Sequence, residues 1–241
     1  MDPSEAIKIS AIVPVFNEEE NLPILVPQLL EVLKGIGLPY EMIFVDDGSS
    51  DGSREILKKM ASQYQSLHVI RFRENRGLST ALYAGLQEAR GEKIITLDSD
   101  LQNDPADIPR LLAYMKDYDM ATGWRQKRED PWLKKISSKI ANAVRNRLSG
   151  EDIRDSACTL RVFKRECLKD IRPFNGMHRF FSTLARMEGY RVVEVPVSHH
   201  SRRFGKSKYN VRNRLWRSFV DLLGVRWMKS RRIQYNIEER I

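Results

Sequence analysis

Apolar positions in the first half of the chain follow two alternating periods. Short runs rich in Val, Ile, Leu and Phe predict strands at Ile7–Phe16, Glu41–Val45, His68–Phe72, Lys93–Leu97 and Met120–Thr122. Between them, apolar residues return every three or four positions, which predicts helices over Leu22–Gly35, Ser53–Tyr64, Ser79–Arg90 and Pro105–Lys116. Helix-start signals stand where they are needed, at Ser53 and at Asp104-Pro105. Strands and helices alternating at this spacing predict an α/β fold, a mostly parallel sheet covered by helices on both faces. In such a sheet the ligand crevice lies beyond the carboxyl ends of the strands. Acidic residues collect there: Asn17-Glu18 after the first strand, Asp46-Asp47-Gly48 after the second, Asp98-Ser99-Asp100 after the fourth.

The pattern changes after residue 125. A basic, helix-like segment, Trp132–Leu148, precedes Asp155-Ser156-Ala157-Cys158-Thr159. A helix over Phe180–Met187 and a strand over Arg191–Val197 follow, and then an arginine-rich stretch. With no repeat and no low-complexity linker, the expected organisation is a catalytic domain over 1–209 and a basic amphipathic tail over 210–241. In that tail Trp216, Phe219, Val220, Leu223 and Trp227 interleave with Arg212, Arg214, Arg217 and Arg226. Aromatics alternating with arginines suit a helix lying in the interface of an anionic membrane.

Composition adds further constraints. Of 241 residues 41% are hydrophobic, enough for a sizeable core. No apolar stretch reaches the ~18 residues of a membrane span; Phe219 to Val225, the best candidate, contains Asp221. The start, MDPSEAIKISAIVPVF, runs from acidic residues straight into a strand and does not read as a signal peptide. Cys158 and Cys167 have neither metal-ligand nor disulfide-framework spacing, so both are expected to be small buried residues in a reducing compartment. The net charge of +9 sits mostly after residue 125 and points to a polyanionic partner. No nucleic-acid-binding signature accompanies it, so nucleic acid is not the expected partner. The expected location is cytoplasmic, peripheral on the cytoplasmic face of a membrane.

The acidic edge has a chemistry of its own. Asp98 and Asp100 alternate on an extended backbone, so they share a face and repel. A hard divalent cation, Mg²⁺ or Mn²⁺, takes oxygen ligands and relieves that repulsion, and Gln102 can add a neutral oxygen. A lone D-x-D occurs by chance in many chains; its place at a strand end is what gives it weight. The chain has no G-x-x-x-x-G-K-[ST] loop and no G-x-G-x-x-G after the first strand. Asp46-Asp47 instead offers carboxylates that suit a base N–H or ribose hydroxyls. A nucleotide whose phosphates are neutralised by a metal fits this set. His178, His199 and His200 read as packing or hydrogen-bonding residues.

Taken together, IVPVFNEEENL, FVDDGSSDGS, ENRGLSTALYAG, LDSDLQNDP, GWR at 123–125 and RRFGKSKY resemble glycosyltransferase family 2, with the GT-A fold. Within it they are similar to the dolichyl-phosphate mannose synthase group and the bacterial polyprenyl-phosphate sugar transferases, over roughly residues 8 to 220. The resemblance implies that Pro14, Phe16, Glu18, Val45 and Asp47 hold the nucleotide base and ribose. It implies that Asp98, Ser99, Asp100 and Gln102 bind the metal and the donor diphosphate. Arg202, in an R-x-x-G-x-S-K pattern with Gly205, Ser207 and Lys208, would touch the donor phosphate or the metal site. Arg125, Lys134 and Ser138 would hold a lipid phosphate. The implied reaction is metal-dependent transfer of a sugar, with mannose from GDP-mannose as first expectation, to a polyprenyl (dolichyl or undecaprenyl) phosphate with inversion at C1. The chain departs from the family at Phe16, often tyrosine, at Lys134, often arginine, and at Asp155–Leu160, often D-P-x-S-G-F. The alternative is a soluble enzyme acting on a saccharide hydroxyl, for which Asp155 is the candidate general base.

Overall fold

The computed structural model describes residues 6–126, 146, 152–169, 171–204, 211–232 (211–215 by backbone alone) and 239. The strands are β1 (Ile9–Val15), β2 (Tyr40–Asp46), β3 (Leu67–Arg71), β4 (Lys93–Thr96), β5 (Met120–Arg125), β6 (Arg161–Lys164) and β7 (Val192–Val197). They form one seven-stranded sheet in the order β3-β2-β1-β4-β6-β5-β7. Every neighbouring pair is parallel except those made by β6, which runs antiparallel to β4 and β5. The helices are α1 (Leu22–Ile36), α2 (Ser53–Gln63), α3 (Leu78–Glu88), α4 (Ile108–Ala113), α5 (Phe181–Met187) and α6 (Val211–Ser230).

Both sheet faces are dry, as a parallel sheet requires. Side chains alternate across β1: Ile9, Ala11, Val13 and Val15 enter one core cluster with α1 residues Leu22, Leu25, Leu29 and Leu33, while Ile12 enters the other. That second cluster joins α3 (Ala81, Leu82, Leu86), α5 (Phe181, Leu184, Ala185) and α6 (Leu222, Val225). Fully burying each such Leu stabilises the fold by roughly 1.5–3 kcal/mol. Helix α6 is therefore attached to the body by one face.

Three elements differ from the sequence expectation. The segment Pro105–Lys116 breaks into a 3₁₀ turn (Pro105–Asp107), α4, and a second 3₁₀ turn (Tyr114–Lys116). Pro109 has no amide to donate to the Pro105 carbonyl, so the first turn tightens. Strand β5 continues to Arg125 because β7 pairs with it to the end, Gly123↔Val195 through Arg125↔Val197. Strand β6 carries no legible period: two apolar residues stand between Arg161 and Lys164, and only tertiary pairing with β4 and β5 makes them a strand. Its Val162 and Phe163 point into opposite clusters. Of the expected helix Trp132–Leu148, all but residue 146 lies outside the described residues.

A buried polar clamp ties β2 to the α3–β4 turn. Glu41 is 2% exposed; it accepts from Ser10 Oγ (2.6 Å), the Arg90 amide (2.8 Å) and Arg90 Nη2 (2.6 Å). Burial raises its proton affinity, but the Arg90 and Ser10 hydrogen bonds and the Arg90 charge outweigh this and hold the carboxyl below its ordinary range. A depressed folded value stabilises the protein above the unfolded value, about 4.3, and the gain disappears as pH falls through the folded one. Glu41→Gln should therefore lower stability by about 1–3 kcal/mol at pH 7. Denaturant melts should show the gap closing below pH 4, and a gap independent of pH would contradict the clamp.

Candidate active site

The chain leaves β1 for β2 and β3 on one side, then returns to place β4 on the other side of β1. This is the reversal of strand order at which α/β sheets open a crevice. The carboxyl ends of β2, β1 and β4 present Asp46-Asp47, Asn17-Glu18 and Asp98–Asp100 side by side. Asn17 (φ 55°) and Leu101 (φ 60°) both lie in the left-handed region here, uncommon for residues with side chains and concentrated at functional sites.

At the β2 end, Asp47 is 3% exposed and accepts from the amides of Arg76 (2.6 Å) and Gly77 (2.9 Å) and from Asn75 Nδ2 (2.9 Å). Burial raises its carboxyl above the ordinary value despite those bonds. The contact requires glycine at position 48: its φ is +70°, and a Cβ there would lie 2.5 Å from the backbone of Glu74. Asp46 beside it is fully buried, accepting the Ser49 amide (2.8 Å), with Arg71 at 3.3 Å. Val45 is 0% exposed, its side chain in the core with Ile12 and Leu82. It forms the wall beneath the crevice. Pro14 pairs with Val45 across the ladder, and Phe16 is partly exposed at the β1 end.

At the β4 end, Ser99 Oγ donates to the Pro14 carbonyl (2.9 Å), fixing the loop to β1. Asp100, 6% exposed, accepts from Arg202 Nη2 at 2.6 Å, and Arg202 Nη1 lies 3.8 Å from Glu18. One guanidinium thus bridges two of the three acidic strand ends. The loop carrying it is sewn onto the Asp100–Asp107 segment. Ser198 N donates to Asp107 Oδ2 (2.6 Å), Asn103 and His199 form an antiparallel bridge, and His200 N donates to the Gln102 carbonyl (3.0 Å). Burial, then the negative charge of Asp100, pushes the Asp98 carboxyl up to about 6, against the Thr159 hydroxyl and the charges of Arg161 and Arg125.

At the β5 end, Arg125 makes a bidentate pair with buried Asp155, Nε to Oδ2 at 2.6 Å and Nη2 to Oδ1 at 2.8 Å. The amides of Arg154 and Asp155 are in turn held by Glu194 (3.0 Å each). Lys134, Ser138 and Lys208, with Gly205 and Ser207, lie outside the described residues.

Sequence reasoning missed the layer beneath Asp98. Arg161, 2% exposed, gives Nη2 to the His178 carbonyl (2.9 Å), while its buried Nε has no hydrogen-bond partner among the described residues. It lines a small cavity with Asp98, Thr159, His178 and Pro14. Thr159 Oγ1 accepts from Asn103 Nδ2 (2.9 Å). The signal for Arg161 was its charge inside an apolar run, Leu160-Arg161-Val162-Phe163. Cys158 and Cys167 are buried free thiols, as expected, each pushed up to about 12 by burial.

A raised carboxyl destabilises the fold when ionised, so the wild type loses stability as pH rises through about 6. Asp98→Asn should melt several degrees higher than wild type at pH 7.5 without added metal, with the difference vanishing towards pH 4. Calorimetry showing equal melting at pH 7.5 would contradict the strain that burial and the Asp100 charge place on an ionised Asp98.

The family model for "Glycosyl transferase family 2" matches residues 10–172, more than half of the chain. Among solved structures, glucosyl-3-phosphoglycerate synthase from Mycobacterium tuberculosis, in complex with Mn²⁺, UDP and phosphoglyceric acid, superposes with a TM-score of 0.68 at 17% identity. That match covers 95% of this chain and 80% of the other. A mannosyltransferase from Pyrobaculum calidifontis, in complex with GDP-Man and Mn²⁺, gives 0.59 at 22% identity, covering 97% of this chain and 67% of the other. These likenesses show a shared GT-A fold. With its switch-point crevice and its acidic strand ends, the chain belongs to glycosyl transferase family 2.

Proposed function

We propose that the chain moves a sugar from a nucleotide donor to a polyprenyl phosphate, with inversion at C1, on the cytoplasmic face of an anionic membrane. Mannose carried by GDP is the first donor to test. The observation that carries the acceptor assignment is the Arg125–Asp155 pair. A hydroxyl acceptor needs a general base, and Asp155, the candidate, has both carboxylate oxygens occupied by the Arg125 guanidinium. A phosphate acceptor, with a second pKa of ~6, is already largely anionic at neutral pH and needs no base. Asp155 then orients Arg125 towards the anion, and positioning becomes the main task.

The donor set suits a hard divalent cation. Among the described residues no group of three or more His, Cys, Asp or Glu side chains could hold a metal alone. Asp98, Asp100 and the Gln102 amide would supply part of a shell completed by donor phosphates, the habit of Mg²⁺. Such an ion would neutralise the leaving nucleoside diphosphate as the C1–O bond breaks. Arg202, already on Asp100 and within reach of Glu18, places positive charge at the same edge. The structures named above that hold Mn²⁺ with UDP or GDP-Man support this reading.

Access to a lipid acceptor is supported by α6. Trp216 (68% exposed), Phe219, Val220, Leu223 and Trp227 (63%) form one exposed apolar stripe, with Arg217 and Arg226 on the same helix. No helix among the described residues is long and apolar enough to cross a membrane. The stripe is the chemistry of an interfacial helix.

The test is an assay of sugar-nucleotide panels with polyprenyl phosphate in anionic or zwitterionic vesicles, with product lipid detected by mass. The expected result is product that requires Mg²⁺ or Mn²⁺, is greater in anionic vesicles and falls with salt. Arg125→Ala should raise KM for lipid at least tenfold more than KM for donor. Product on a free saccharide but none on the lipid would overturn the reading.

A further inference from the structure

A second site lies at the opposite edge of the sheet. A groove of about 1480 Å³ opens between the C-terminal half of α6 and the body. It is reached by Lys93, the first residue of β4, and Lys164, the last of antiparallel β6, so it borders the amino end of β4. Five residues of extended chain separate Lys93 from Asp98, about 16 Å at 3.3 Å each. A phosphate held in the groove is therefore too far away to attack a sugar bound at the Asp98–Asp100 end.

The groove is amphiphilic. Leu86, Leu184 and Met187, all buried, form its floor together with Leu168, Ile171 and Met228. Among the described residues its rim carries eight Lys or Arg side chains against three Glu. Several are neutralised locally: Arg90 by Glu41, Lys164 by Asp119 and Arg232 by Glu188. Lys93, Lys169, Arg172 and Arg231 have no carboxylate within ion-pair distance among the described residues, and Lys169 and Arg172 are exposed. An excess of positive charge above an apolar floor is complementary to one molecule carrying a phosphate and a hydrocarbon chain.

Its position relative to α6 decides the source. The exposed stripe from Trp216 to Trp227 runs along the helix, and Trp227 also lines the groove. A surface that covers the stripe therefore meets the mouth of the groove. We propose that this groove binds an anionic membrane phospholipid, headgroup phosphate on Lys169, Arg172 and Arg231, acyl chain along the Leu86–Met187 floor. The site is separate from the donor crevice and does not depend on which acceptor the enzyme uses. Bound there, a bilayer lipid fixes the distal end of α6 while leaving the catalytic edge open.

The test uses the full chain and short-chain lipids that stay monomeric, so that it reads the groove and not vesicle association. Calorimetric titration with dihexanoyl phosphatidylglycerol should show saturable binding. Dihexanoyl phosphatidylcholine and glycerol 3-phosphate, lacking the net charge and the chains respectively, should each bind at least tenfold more weakly. Lys169→Glu/Arg172→Glu, two solvent-facing changes, should weaken phosphatidylglycerol at least tenfold and leave sugar-nucleotide affinity unchanged; Lys169→Ala/Arg172→Ala should do so to a lesser extent. Equal affinity for both lipids, or no change in either double variant, would overturn the proposal. Binding seen only after removal of residues 233–241 would make that segment the occupant and overturn it too. Failure of the vesicle assay with this binding intact would count against the lipid acceptor and not against the groove.

Discussion

Two carboxylates of like charge at the mouth of one buried strand are the constraint around which the crevice is arranged. Asp98 and Asp100 cannot both ionise cheaply in a recess, and the proton affinity of Asp98 is raised first by its burial and then by the charge of Asp100. The fold surrounds the pair with positive charge from three separate elements. Arg202 comes from the loop after β7, Arg161 from the start of β6 and Arg125 from the end of β5. None is adjacent in sequence to the aspartates. The parallel pairing of β7 with β5 and the antiparallel insertion of β6 are what bring these arginines to the β4 end.

The same constraint explains why the edges of the crevice are so firmly tied. A loop free to move would separate the charges. Ser99 is fixed to Pro14, the Asp100–Asp107 segment to residues 198–200, and Asp47 to the turn before α3. The glycine at position 48 and the left-handed Leu101 are local costs of holding that arrangement.

Much of this was legible in the chain. Alternating periods located β1 to β4 and α1 to α3 within a residue or two, because strands buried on both faces and helices packed on them leave strong local patterns. The motif order indicated the family, and the D-x-D pair announced a need for counter-charge. What could not be read was set by tertiary contact. The four residues of β6 have no period of their own. The role of Arg161 depends on lying under Asp98, 63 residues earlier in the sequence. The pairing of Arg125 with Asp155 was equally hidden: sequence reasoning gave one residue to a phosphate and the other to base catalysis in a rival mechanism. Only their 2.6 Å contact shows that they act on each other first.

The central claim is that the Asp98–Asp100 pair is completed by a divalent cation arriving with a nucleoside diphosphate. Electron paramagnetic resonance of Mn²⁺, titrated into the protein with and without UDP or GDP, measures this directly. The account predicts weak Mn²⁺ binding alone, at least tenfold tighter binding with the nucleotide present, and loss of that gain in Asp100→Ala. Mn²⁺ affinity that is the same in wild type and Asp100→Ala, with or without nucleotide, would contradict it.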